Sequence, residues 1–216
     1  MATIKNGGNG AFSGKAGSFV GSSWKNISIM KGLTKKSNRP PSQKQLDQRA
    51  RFAAVLSYLG QIKDILNFGF KSQEAGKATG FNLAIKHAIN NAVLGNYPDF
   101  EIDHSQVLLS AGTLAKPIVV VNQEEAHKIK LEWLVILNER NSFPGDKLFV
   151  VLYSPTHHLF LDFENVATRT NGQVDITLPT NFDGELLHVY AFFQQHNSDR
   201  CSGSTYVGSI TMNYPS

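Results

Sequence analysis

Few residues in this chain have the types and spacing that chemistry needs. Asn9 to Ala16 comes near a phosphate-binding loop, G-x-x-x-x-G-K-[ST], with Gly14-Lys15 in place. Asn9 stands where the first glycine belongs, Ala16 stands where a magnesium-holding hydroxyl belongs, and no strand precedes the stretch. A glycine-rich arm explains it better than nucleotide binding does. His157 and His158 are adjacent, and neighbours on a strand point to opposite faces, so they cannot chelate one ion. His87, His104, His127, His188 and His196 have no short ligand spacing, so no metal is expected. Cys201 lies in the polar turn Asn197 to Gly203, beside Arg200, a neighbour able to lower its pKa. A nucleophile also needs a base, an orienting group and an oxyanion site. None of these is spelled out, so Cys201 reads as a surface thiol. Asp99, Glu101 and Asp103 alternate, and a solvated strand edge explains them more simply than paired-carboxylate or calcium chemistry. No catalytic residue, cofactor, metal or small-molecule substrate is expected, and the chain is read as a non-enzyme.

The strongest signal is electrostatic. The first 51 residues carry ten Lys or Arg and one acid, Asp47, whereas the remaining 165 carry eleven against 16 Asp or Glu. The formal charges are +9 and −5. Lys31, Lys35, Lys36, Arg39, Lys44, Arg49 and Arg51 form the basic patch. Phosphate backbones reward such density through counterion release, and Phe19 and Trp24 are suited to stacking on bases. No nucleic-acid-binding motif is spelled out, however. The same charges suit docking on the acidic remainder of the chain, in the same copy or the next.

Three segments position these residues. Residues 1–39 are a basic, glycine-spaced arm, but Phe12, Phe19, Val20, Trp24, Ile27, Ile29, Met30 and Leu33 make it too apolar for a free tail. Extended or hairpin segments are expected there, with Phe12, Lys15, Phe19, Trp24 and Lys25 as anchors on a partner surface. Residues 40–98 read as a helical hairpin. Pro40-Pro41 stops the preceding element, Ser42 and Gln45 form a capping box, and apolar residues recur at helical spacing from Leu46 to Leu66, with a stop at Gly69. Thr79 caps a second helix that ends at Gly95. Residues 99–216 change to a period of two, with about eight strand-like segments near 102–109, 116–121, 127–137, 147–153, 158–163, 172–178, 186–194 and 205–213. Turn signals separate them and no helical period intervenes, so an antiparallel, immunoglobulin-like β-sandwich is expected, in an α+β chain. Trp133, Val135, Val189, Ala191 and Phe193 are its expected core.

The longest apolar run, Trp133 to Leu137, is far too short to span a membrane, and the start from Met1 to Asn6 lacks a secretory h-region. One cysteine excludes an intramolecular disulfide and suits a reducing compartment. A cytoplasmic protein is expected, with signal-independent export or release within a virion left open.

Lys5-Asn6-Gly7, the run Gly10 to Lys25, Pro40-Pro41 through Gln45 to Arg49, Phe52, and Tyr97-Pro98 with Phe100 and Ile102 resemble an uncharacterised family of Bacteroidetes proteins, a domain of unknown function. The most specific part is F-S-G-K-x-G-S-x-V-G-S-x-W-K, here Phe12 to Lys25. The resemblance implies that the arm is a defining part of the protein, and it transfers no activity and no site residue. The resulting expectation is a structural or interaction protein that forms a homo-oligomer through its arm, with a phage-like virion or tail component as one version. The alternative is a nucleic-acid-binding protein that uses the arm and the first helix.

Overall fold

A computed structural model describes residues 3–4, 11–24, 27–34, 39–74, 78–123, 125 and 127–212. The backbone divides into two compact units, Met1–Ser42 and Gln43–Ser216.

The first unit is an antiparallel meander in the order β1 (Thr3–Ile4), β2 (Phe12–Ala16), β3 (Phe19–Trp24) and β4 (Ile27–Gly32). Gly14-Lys15, the near-match to a phosphate loop, lies within strand β2 with no helix after it. Register puts Lys15, Val20 and Lys31 in one cross-strand row, and Gly14, Gly21 and Met30 in the next, on the opposite face. Gly21 is required there, because a Cβ would come within 2.6 Å of the Phe12 ring.

The second unit begins with α1 (Gln43–Leu59), directly after Ser42. A 3₁₀ turn at Gly60–Ile62 separates it from α2 (Lys63–Gly69), so the expected single helix is broken in two. Thr79 caps α3 (Gly80–Asn91), its hydroxyl accepting from the Asn82 N–H at 3.3 Å. The helix stops before the expected Gly95, because Val93–Asn96 (β5) turns back to pair with Asp99–Ile102 (β6). Gly95, with φ of +85°, serves this hairpin rather than a helix end.

The sandwich follows: β7 (Val119–Asn122), β8 (Lys128–Trp133), β9 (Lys147–Ser154), β10 (Leu159–Thr168), β11 (Gln173–Thr177), β12 (Leu186–Gln194) and β13 (Thr205–Thr211). One sheet has the order β10-β9-β12-β13 and the other β11-β8-β7, with every pairing antiparallel. The expected strand over 102–109 is not formed. Asp103 instead caps a 3₁₀ turn at His104–Gln106 by accepting from the Ser105 N–H at 2.9 Å.

β9 and β12 are buried on both faces. Leu148, Val150 and Leu152 of β9, with Leu187, Val189, Ala191 and Phe193 of β12, meet Ile129, Leu131 and Trp133 between the sheets. The alternate residues Phe149, Val151, Tyr153, Tyr190 and Phe192 pack against Val55, Leu59, Leu66, Ile85 and Ala88 of the helices. The unit therefore has three layers, helices on sheet on sheet, with two cores.

Of the expected core residues, Trp133, Val189, Ala191 and Phe193 are buried, but Val135 is 41% exposed. The strand ends at Trp133, opposite the first residue of β7, and Leu134 to Leu137 run on beyond the sheet. Ser142 Oγ donates to the Ile136 carbonyl and the Asn138 N–H to the Ser142 carbonyl, which holds this exposed apolar segment without a strand partner beside it. No helix among the described residues is long and apolar enough to cross a membrane.

Candidate functional site

In the Met1–Ser42 unit no large apolar side chain among the described residues is buried. Phe12 and Val20 are half-buried, whereas Phe19, Ile27, Met30 and Leu33 are exposed, Met30 by 64%. Lys15 and Lys31 are exposed on the same face of the meander. Trp24 stands opposite Ile27 in the backbone register. Lys25, Lys35 and Lys36 lie outside the described residues. This unit holds seven Lys or Arg and no Asp or Glu, a formal +7, whereas Gln43–Ser216 holds fourteen against seventeen, a formal −3.

In the second unit the basic patch is spread over α1, where Lys44 and Arg51 share a face. Lys44 and Arg49 are exposed on α1, about 140° apart around the helix. Arg51 is occupied: its Nε donates to Asp47 Oδ2 at 2.9 Å and its guanidinium lies 4.7 Å over the Phe100 ring. Arg39 is exposed in the first unit.

Spatial proximity creates a groove that the one-dimensional reading missed. Asp64, Ile65 and Phe68 of α2, with Gln61 before it, face Phe149, Phe160, Asp162, Glu164, Asn165 and Gln194 of the sheet across a space of about 640 Å³. Along β10, Phe160, Asp162 and Glu164 share the face turned to the helices. Phe160 is buried in the helix-facing core, and the two acids beyond it are exposed. No Lys or Arg lines the groove, and among the described residues none of its three carboxylates is ion-paired. Asp64 and Asp162 are remote in sequence, so no local motif signals them.

The other cluster missed from sequence is a buried ring of hydroxyls and imidazoles. Tyr58 Oη lies 3.0 Å from His104 Nδ1 and 3.1 Å from Tyr190 Oη, and Tyr190 donates to the His104 carbonyl at 2.9 Å. With the proton on Nδ1, His104 donates to Tyr58, Tyr58 to Tyr190 and Tyr190 back to His104, which uses each donor once. The His104 and His188 rings stack 3.9 Å apart, and His188 Nδ1 meets Tyr206 Oη at 2.8 Å. Burial, with the nearby His188, lowers the His104 pKa to about 4 against the opposing pull of Asp103, and burial also lowers that of His188. Burial raises Tyr58 and Tyr190 far above the usual phenol range. The ring ties α1, the His104 turn and β12 together.

This ring is expected to make the fold sensitive to acid. Histidines that are harder to protonate in the fold than in the unfolded chain contribute stability in full above about 6.5. The contribution falls away as pH drops toward the folded value of about 4 for His104. The Tm of the wild type is expected to fall between pH 7 and pH 4 by about 3–6 °C more than that of His104→Asn. Parallel melting profiles would remove the histidine contribution.

Cys201 is buried rather than at the surface, and burial, helped by Asp199, pushes its thiol pKa up to about 12. Its carbonyl accepts from the Leu114 N–H at 3.2 Å, which draws the turn into the core instead of leaving it at a hairpin tip. The native thiol is expected to react with iodoacetamide more slowly than the unfolded one by about a hundredfold or more, measured by mass spectrometry. His157 and His158 lie in the turn between β9 and β10, not on a strand as expected, and His158 has a positive φ of 48°. Among the described residues no three His, Cys, Asp or Glu side chains come together as a metal-sized cluster.

These features define an α+β protein in which an antiparallel β-sandwich carries a helical hairpin and a separate small sheet precedes both. The chain belongs to the family of unknown function DUF6266, which matches residues 11–208. No curated protein matches it. Among solved structures it is similar to the fn3 domain of human contactin 1, at 9% identity over 50% of this chain and 84% of that one, with a TM-score of 0.35. It is also similar to the fn3 domain of the human collagen alpha-1(XX) chain, at 13% identity over 50% of this chain and 94% of that one, with a TM-score of 0.36.

Proposed function

We propose that this protein is a non-enzymatic structural or interaction protein that self-assembles through its N-terminal unit. The observation that carries this reading is the state of Met1–Ser42: a four-stranded meander in which none of the described large apolar side chains is buried. A sheet normally needs one apolar face covered to be stable. Exposed apolar surface costs roughly 25 cal/mol per Å², so Phe19, Ile27, Met30 and Leu33 favour a partner. The unit's formal +7 selects an acidic one, and Gln43–Ser216 of another copy is net acidic. A part of a phage-like virion or tail is one form of such an assembly. The segment Phe12 to Lys25 lies inside the family's matched span, which supports the arm as a defining feature of the family.

Light scattering on the full chain and on a chain lacking residues 1–42 tests this. The full chain is expected at a multiple of its monomer mass and the truncated chain at the monomer mass, still folded because both of its cores lie within Gln43–Ser216. Equal monomeric masses would reject the reading. Binding of DNA or RNA that weakens steeply with salt and vanishes with the arm would replace it with the nucleic-acid reading.

A further inference from the structure

We infer that the acidic groove beside β10 seats the Met1–Ser42 unit of a second copy, with β4 of that copy adding as a strand to the outer edge of β10. The inference rests on the self-assembly reading and names its docking site. β10 is the last strand of its sheet, hydrogen-bonded to β9 on one side. Among the described residues, the backbone of Leu159 to Ala167 makes no backbone hydrogen bond outside that ladder. Such an edge is a template for strand addition, in which main-chain bonds supply affinity and side-chain pockets supply choice. Its regular ladder runs from Leu159 to Phe163, and the register then shifts before Ala167, with Asn165 at a φ of +53°. The edge therefore receives a short strand.

Among the described residues, the outer strands of the meander offer one of suitable length. β1, at one side, has two residues, whereas β4, at the other, has six. β4 carries Met30 and Ile27 exposed, and Leu159 at the start of β10 is exposed as well. Charge selects the occupant. Asp64, Asp162 and Glu164 line the groove with no base among them, while the meander holds Lys15 and Lys31 in one cross-strand row and has no acid.

Paired charge reversals in the full chain test this. Asp162→Lys with Glu164→Lys alters the groove, and Lys15→Glu with Lys31→Glu alters the meander; all four side chains are exposed, so the fold should persist. Each double variant alone is expected to shift toward the monomer in light scattering at low salt, its dissociation constant raised by about tenfold or more. An equimolar mixture is expected to regain the wild-type mass, because each arm then meets a groove of opposite sign. If the groove variant keeps the wild-type mass while removal of residues 1–42 dissociates the protein, the groove is wrong and the self-assembly reading stands. A monomeric wild type overturns both. Failure of the mixture to reassociate overturns the pairing of arm with groove.

Discussion

Replacing Arg169 by methionine is expected to lower the stability of this protein by about 3–5 kcal/mol, the cost of leaving a buried charge without its partner. Arg169 is 2% exposed and Asp146 fully buried, an uncommon setting for either residue type. The guanidinium Nε donates to Asp146 Oδ2 at 3.0 Å, Nη2 donates to the Ala115 carbonyl at 3.1 Å, and the guanidinium carbon lies 3.9 Å over the Phe193 ring. Burial pulls the arginine pKa down and the bond to Asp146 works against it, yet a guanidinium keeps its proton. Asp146 Oδ2 also accepts from the Phe143 N–H at 2.9 Å, so the pair fixes the turn that enters β9. The methionine side chain would fill the space but strand the carboxylate. Asp146→Asn should cost less, because the amide oxygen can still accept from Phe143. Urea unfolding of the three proteins checks the order. A loss below about 1 kcal/mol for Arg169→Met would show that water reaches Asp146.

Trp133→Ala is expected to cost about 3–5 kcal/mol through the cavity it leaves between the two sheets. Its ring is 6% exposed and meets Phe193 edge-on at 6.2 Å. The indole N–H donates to the Arg169 carbonyl at 2.8 Å, so the substitution also orphans a buried acceptor beside the ion pair. Trp133→Phe keeps most of the volume and loses that bond, and should fall between. Because Trp133 and Arg169 share Phe193 and this hydrogen bond, the double variant should depart from the sum of the singles by more than about 0.5 kcal/mol. Equilibrium denaturation measures all of these, and a Trp133→Ala loss under about 1 kcal/mol would place the indole in solvent.

Trp133 was legible from sequence because Ile129, Leu131 and Trp133 alternate with Lys130 and Glu132, and only a half-buried strand repays that spacing. Val135 belongs to the same alternation and faces solvent. The pattern continues past the point where β7 and β11 stop, and the end of a strand is set by its partners rather than by its own residues. Gly95 illustrates the same limit. It is a sound helix stop by type, but the residues before it found a strand partner in Asp99–Ile102 and left the helix early.

Sequence alone determined the kinds of the longer elements and the charge division. Helical and two-residue periods, the Thr79 cap and the absence of acids before Asp47 are local properties that any packing must respect. Tertiary structure alone decided what lies over each face. The unbroken run Phe149 to Tyr153 is compatible with one covered face or two, and the helices settle it by packing on Phe149, Val151 and Tyr153. The burial of Cys201, the Arg169–Asp146 pair and the meeting of Asp64 with Asp162 and Glu164 were likewise invisible, because each depends on chain segments far apart in sequence. Periodicity reports how a residue relates to its own element; it carries no record of which other element arrives.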